Sequence, residues 1–289
     1  MQKTLQIGNA KGIVDTYGGE LISYTNDGKE YIWTGDAAYW NGHAPVLFPF
    51  VSALKDWKIK FGGEEYSLTT KHGFARKSEF ELIDCTDTKA TFCLKANEAT
   101  LAQYPFLFSL IVTHEITEQG AVTTYTVQNK DDKPMVFCIG GHAGYCVDGS
   151  CEDYQLIFEK PEDLDMYYTD AQSLFSDAYK LDKRLEGTVY DICYDDFDVD
   201  AIILKNPASN KVKLVKKSDG TGMEFDFTGY EHLTLWTPPK KQAPFFCLEP
   251  WNGLPAYTDE SGNFEDKPGC ITLPAGEEYS ISYAITAIK

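Results

Sequence analysis

Residues 106–129 read FLFSLIVTHEIT, then EQG, then AVTTYTVQN. In the first run Phe106, Phe108, Leu110, Val112, His114 and Ile116 fall on alternate positions. Side chains at i and i+2 share one face of a strand, so this run predicts a long strand with one buried face. Glu118-Gln119-Gly120 supplies the turn, and Ala121–Asn129 resumes the alternation as an antiparallel partner.

The same period extends in both directions. Glu20–Thr25 and Lys29–Thr34 flank Asn26-Asp27-Gly28 as a hairpin, and Ser78–Cys85 with Ala90–Ala96 forms another pair. Met135–Gly140, Tyr154–Phe158, Ala201–Leu204, Lys211–Val215, Met223–Thr228, His232–Thr237 and Glu278–Ile288 read as further strands. The weak helical candidates lie between Pro161 and Tyr179. A βαβ rhythm, a Gly-rich phosphate loop and a composition boundary are all missing. The expectation is an all-β chain forming one antiparallel domain over residues 1–289.

Composition narrows the partners. The 289 residues include 17 Phe, 18 Tyr and 5 Trp, ample apolar surface for a sizeable core. Twenty-six basic residues against 44 acidic ones give a net charge of −18. That charge repels phosphate backbones and anionic bilayers, so neither nucleic acid nor membrane is an expected partner. MQKTLQIGNAKG at the start contains no apolar leader, and no run approaches bilayer length, so a cytoplasmic protein is expected. The eight cysteines are scattered without a C-x-x-C pair. Cys85, Cys93 and Cys138 sit in alternating apolar patterns and are expected to be buried thiols.

Three stretches break the alternation while placing polar groups among rings. Lys71-His72-Gly73-Phe74-Ala75-Arg76 sets a histidine and an arginine four apart around a glycine. In one concavity they would offer a neutral hydrogen-bonding group and a fixed donor fork; as a surface loop they would simply face solvent. Ile139-Gly140-Gly141-His142-Ala143-Gly144-Tyr145 surrounds a histidine with three glycines, which permits close approach of a ligand or a satisfied core histidine. Pro244-Phe245-Phe246-Cys247-Leu248-Glu249-Pro250-Trp251-Asn252-Gly253 sets a carboxylate directly after the nonpolar run Ala243–Leu248. Burial there raises the carboxyl pKa toward that of a general base, with Trp251 as a stacking face or as ordinary core.

The other histidines carry less. His114 belongs to a core face, His232 receives no role, and His43 sits in an aromatic-rich loop able to line a site. Neither H-E-x-x-H nor a cysteine or carboxylate cluster points to a metal, and G-x-S-x-G is absent. The Asp195–Asp200 tract lacks the glycine and spacing of a calcium loop and reads as solvated acidic surface.

Taken together, Gly18–Ser23, Glu30–Asp36, Tyr39-Trp40, Ala44–Phe50, His72–Arg76, Tyr104–Phe106, Gly141-His142, Leu235-Trp236 and Cys247–Gly253 resemble the aldose 1-epimerase (galactose mutarotase-like) superfamily, in its LacX-related branch. The resemblance covers nearly the whole chain. It implies a large distorted antiparallel β-sandwich, an isomerase acting on a monosaccharide, and no cofactor or metal. It further implies Glu249 as general base, His142 as general acid, and His72 and Arg76 as sugar-binding groups. Asp200 would be an acidic sugar contact and Trp251 a cover for an apolar sugar face. One departure stands out: galactose mutarotases carry an arginine in a G-R-x-x-N-R-I segment, and Leu47–Ser52 here has none. Three functions follow as expectations: a free-hexose mutarotase, a hexose-6-phosphate 1-epimerase, or a carbohydrate-binding or sensing protein without turnover. A glycoside hydrolase would want two facing carboxylates, and only Glu249 has a convincing apolar setting. No oligomeric partner is read from the pattern.

Overall fold

The computed structural model describes residues 1–68 and 70–289. Alternation becomes register throughout. Phe108–Ile116 pairs antiparallel with Gly120–Asn129, and on its other edge with Lys89–Lys95. Leu110, Val112 and Ile116 are buried as their spacing requires, each fully buried aliphatic side chain contributing about 1.5–3 kcal/mol. His114 shares that face and is satisfied there: Nε2–H donates to the Gly19 carbonyl at 2.8 Å, and Nδ1 lies 3.0 Å from the Thr123 hydroxyl.

Two sheets dominate. A four-stranded sheet runs in chain order through Gln2–Ile7, Ala10–Asp15, Glu20–Asn26 and Lys29–Glu30. A fifteen-stranded sheet contains the strands that matter for the site. Its path from one edge is Val46–Leu47, Ile139–Gly141, Phe245–Asn252, His232–Trp236, Ile202–Lys205 and Tyr154–Thr169. It continues through Lys211–Lys216, Gly222–Asp226 and Glu278–Ile288 to Gly120–Asn129 and the 81–116 strands. The first sheet packs onto this one through Leu5, Val14 and Leu21, and one hydrophobic cluster extends from Leu5 to Ile285. Tyr24 and Asn26 tie the layers together by donating to the Thr117 and Glu118 carbonyls at 3.1 and 2.7 Å. Among the described residues no helix is long and apolar enough to cross a membrane.

The structure corrects several local expectations. Residues 161–179 are not helical: they lie in two long antiparallel strands, Tyr154–Thr169 and Phe175–Asp191, and the turn that joins them. Much of that ribbon is exposed, so its charged residues carry no apolar period for the eye to find. The strand expected over Lys29–Thr34 ends at Glu30, because the Glu30 carboxylate accepts from the backbone N–H groups of Tyr24, Tyr31 and Ile32 and turns the chain. Met135–Gly140 is interrupted at Cys138, whose N–H is diverted to the Pro49 carbonyl at 2.7 Å. Cys93 and Cys138 are buried, but Cys85 is exposed on the outer face of its strand.

Candidate active site

Register places the central pair. Gly140 lies opposite Trp251 and Ala143 opposite Leu248, so the same register sets His142 directly across from Glu249. Directly opposed residues of an antiparallel pair project to the same face. On the far side of Glu249, Thr234 is its partner and Trp236 is that of Cys247. Pro250 has no N–H to give the ladder, and the His142 N–H turns instead to the Pro45 carbonyl at 3.1 Å. The glycines make room: a Cβ on Gly140 would lie 2.7 Å from the Pro250 carbonyl oxygen, and one on Gly144 would meet Trp33 at 3.0 Å.

His142 Nε2 and Glu249 Oε1 are 3.3 Å apart, with Glu249 only 1% exposed. Among the described residues neither Glu249 oxygen accepts a hydrogen bond, and His142 Nδ1 has no partner. Burial pushes the Glu249 carboxyl well above the usual range, reinforced by Asp200 and opposed by Trp251, Arg76 and Lys71. Burial also pulls His142 down, to about 3, with Arg76 adding to the effect. Both neutral forms are favoured, a protonated carboxyl beside an unprotonated imidazole.

The second element enters from a loop. His72 adopts φ 65° and Gly73 φ 73°, the left-handed region. At Gly73 only hydrogen fits, because a Cβ would stand 2.1 Å from the Phe48 carbonyl oxygen. His72 N–H donates to the Ser52 carbonyl at 2.7 Å, and Ser52 N–H donates to His72 Nδ1 at 3.0 Å. With Nδ1 accepting, the ring proton sits on Nε2. Burial, then His142, holds His72 well below its ordinary pKa, so the ring is a neutral donor at physiological pH. Its ring centroid is 5.3 Å from that of His142.

Arg76 projects from the short turn Ala75–Lys77. Among the described residues no carboxylate lies within 4.0 Å of its guanidinium; Glu20 and Glu249 attract it from farther off. At the rim Asp200, with φ 85°, accepts from the Trp236 indole N–H at 2.7 Å and faces Lys71 Nζ at 3.8 Å.

These groups line one open cavity of ≈ 180 Å³. All six expected residues, His72, Arg76, His142, Asp200, Glu249 and Trp251, border it. Trp251 is only 2% exposed, so it contributes an edge and an unpartnered indole N–H rather than a broad stacking face. The available rings are Trp40, stacked on His142 at 5.0 Å, and Trp236, edge-on to it at 5.4 Å. Both belong to motifs of the family resemblance, but neither was given a site role from sequence, since a tryptophan in an aromatic loop or apolar strand reads as core. Ser52, Thr169 and Ile203 also border the cavity without any sequence signal. His43 is spent on the Trp33 carbonyl at 3.0 Å and does not line it, nor does His232, buried beside Trp251. One further grouping had no sequence signature: single donor atoms of His142, Cys247 and Glu249 all lie within 4.8 Å of one another.

The family model for aldose 1-epimerase matches residues 2–286. The plasmid-borne protein LacX of Lactococcus lactis subsp. lactis is 34% identical over 285 residues, 95% of each chain. A galactose mutarotase-like protein from Lactobacillus casei superposes with a TM-score of 0.94 at 31% identity, covering 100% of both chains. A galactose mutarotase related enzyme from Lactobacillus acidophilus gives 0.92 at 27%, covering 100% of this chain and 98% of that one. The two sheets are thus the distorted sandwich of galactose mutarotase-like folds, and the chain belongs to the aldose 1-epimerase family.

Proposed function

We propose that the chain, acting as one domain over residues 1–289, interconverts the α and β anomers of a free hexose. The observation that carries this reading is the buried His142–Glu249 pair at 3.3 Å, with neither group otherwise partnered, bordering an open cavity. Ring opening needs a proton taken from the anomeric hydroxyl and one delivered to the ring oxygen as the C1–O5 bond breaks. Rotation about C1–C2 and closure on the other carbonyl face reverses both transfers.

Glu249 is the base and His142 the acid of this scheme. The form required, carboxylate and imidazolium, has the same proton count as the resting neutral pair. It is reached by moving one proton between two atoms already in contact. Sugar hydroxyls donating to Glu249, aided by Arg76 and Lys71, favour the carboxylate side. The His72 Nε2–H and the Arg76 fork are placed to donate to ring hydroxyls, with Asp200 accepting at the rim. Trp40 and Trp236 offer apolar faces for the C–H side of the ring.

A second reading, a hexose 6-phosphate as substrate, draws on Arg76, which has no carboxylate within 4.0 Å, and on Lys71 beside it. Against it, Lys71 already faces Asp200. Polarimetry of freshly dissolved α-D-glucose and α-D-galactose beside α-D-glucose 6-phosphate separates the readings. Faster equilibration of a free sugar supports the first and selective acceleration of the phosphate the second. Binding without acceleration of any of them would refute both and leave a sensing protein.

A further inference from the structure

The metal-donor grouping extends the site beyond acid–base chemistry. Cys247 precedes Glu249 by two on the Phe245–Asn252 strand, so both project to one face, and His142 faces them from across the ladder. Three different donors, an imidazole nitrogen, a thiol sulfur and a carboxylate oxygen, converge within 4.8 Å, all from buried residues. Glu249 is 1% exposed and both of its oxygens are free of hydrogen bonds among the described residues. Cys247 is an unbridged thiol.

Tetrahedral zinc, with bonds of about 2.0–2.3 Å to nitrogen, oxygen and sulfur, wants neighbouring ligand atoms roughly 3.3–3.7 Å apart. The His142–Glu249 separation of 3.3 Å already meets that spacing, and the Cys247 sulfur lies within 4.8 Å of both donors. A hard cation such as magnesium prefers an all-oxygen shell, whereas an N, S, O set suits zinc, cobalt or cadmium. Three protein ligands leave a fourth position, on the side where His142 and Glu249 border the cavity.

We propose that His142, Cys247 and Glu249 form a binding site for a thiophilic divalent cation of the zinc class, and that metal and sugar exclude one another there. Binding displaces two protons to solvent, one from the Cys247 thiol and one from the Glu249 carboxyl, and the cation takes the place between His142 and Glu249. The exclusion rests on the catalytic reading above; the site itself does not.

The test titrates the purified chain with zinc chloride by calorimetry, and with cobalt(II) by absorption, beside Cys247→Ser, Cys247→Ala and Cys85→Ser. Expected are one zinc per chain and a thiolate-to-cobalt charge-transfer band in the near ultraviolet. Both should persist in Cys85→Ser, an exposed cysteine elsewhere, while zinc affinity falls at least about tenfold in the Cys247 variants and the band disappears. Circular dichroism establishes that each variant is folded, and the wild-type cobalt spectrum stands without them. No zinc uptake by wild type up to about 100 µM, or wild-type affinity in a folded Cys247 variant, would overturn the proposal. Zinc held through Cys247 with anomer exchange undiminished would uphold the site and refute the catalytic assignment of His142 and Glu249.

Discussion

Replacing Glu249 by Gln should slow the enzyme and stabilise the fold at once. The side chain keeps its shape, but the proposed base is lost, which removes about 10²–10⁴ from the rate, or roughly 3–5 kcal/mol of transition-state stabilisation. The stability gain follows from the surroundings. Glu249 is 1% exposed, and its oxygens accept no hydrogen bond among the described residues. An unsatisfied buried polar group costs about 1–3 kcal/mol, more when charged. A glutamine amide is neutral and can donate to His142 Nε2 across the present 3.3 Å. Over 289 residues, about 2.1 cal/mol/K each gives a melting entropy of roughly 0.6 kcal/mol/K. Relief of 1–3 kcal/mol therefore raises Tm by about 2–5 °C. Polarimetry reports the rate, and thermal unfolding by circular dichroism near pH ~8, where the unfolded carboxyl is ionised and its burial therefore costs stability, reports the Tm. A wild-type rate would refute the assignment of the base. A lost rate with a lowered Tm would show instead that Glu249 holds the sheet together and that its burial had been misread.

Other outcomes follow from single features. Arg76→Ala removes a charged donor worth about 1.5–3 kcal/mol, so KM should rise on the order of ten- to a hundredfold with a smaller change in kcat; an unchanged KM would place the arginine outside the sugar contacts. Gly73→Ala drives a Cβ to 2.1 Å from the Phe48 carbonyl at a φ of 73°, and should cost at least about 1–3 kcal/mol of stability, read as a Tm lower by several degrees. His114 and His232 are both held down to about 4 by burial, so the unfolded chain protonates first. Their contribution to stability is full above ~6.5 and is lost as pH falls through about 4, on the order of 3 kcal/mol each. Glu20, raised to about 7 by burial, acts oppositely: its contribution is full below about 4.5 and is lost as pH rises through 7. Denaturant unfolding across that range should flatten on the acid side in His114→Asn and on the alkaline side in Glu20→Gln.

Strands with one buried face were plain in the sequence, and Glu278–Ile288 has the boundaries its pattern implies. The Tyr154–Thr169 and Phe175–Asp191 ribbon was not, because its long exposed stretches leave hydrophobic periodicity nothing to report. The motifs at His72, His142 and Glu249 were legible since each interrupts an apolar pattern with a group that burial makes costly. Trp40 and Trp236 were opaque for the converse reason: an aromatic ring in an apolar setting looks the same whether it faces the core or a cavity. The Cys247 grouping was hidden more deeply. Its spacing exists only across the ladder, where residues more than a hundred positions apart become neighbours.

Glu249 stands on a strand of the great sheet, and His142 is the single residue between two short strands paired with it, Ile139–Gly141 and Ala143–Cys146. His72, Arg76, Trp40 and Asp200 come instead from turns and connections around its mouth. A strand moves only with its neighbours, and a slip of one residue would turn every side chain to the other face. A connection can be lengthened or exchanged at little cost to the fold. Such a division gives the scaffold an inheritance of unequal parts. The distance between His142 and Glu249 is set by the sheet, while the rim is open to revision. Under the proposed function, new sugars can thus be admitted through changes in the rim without moving the His142–Glu249 pair.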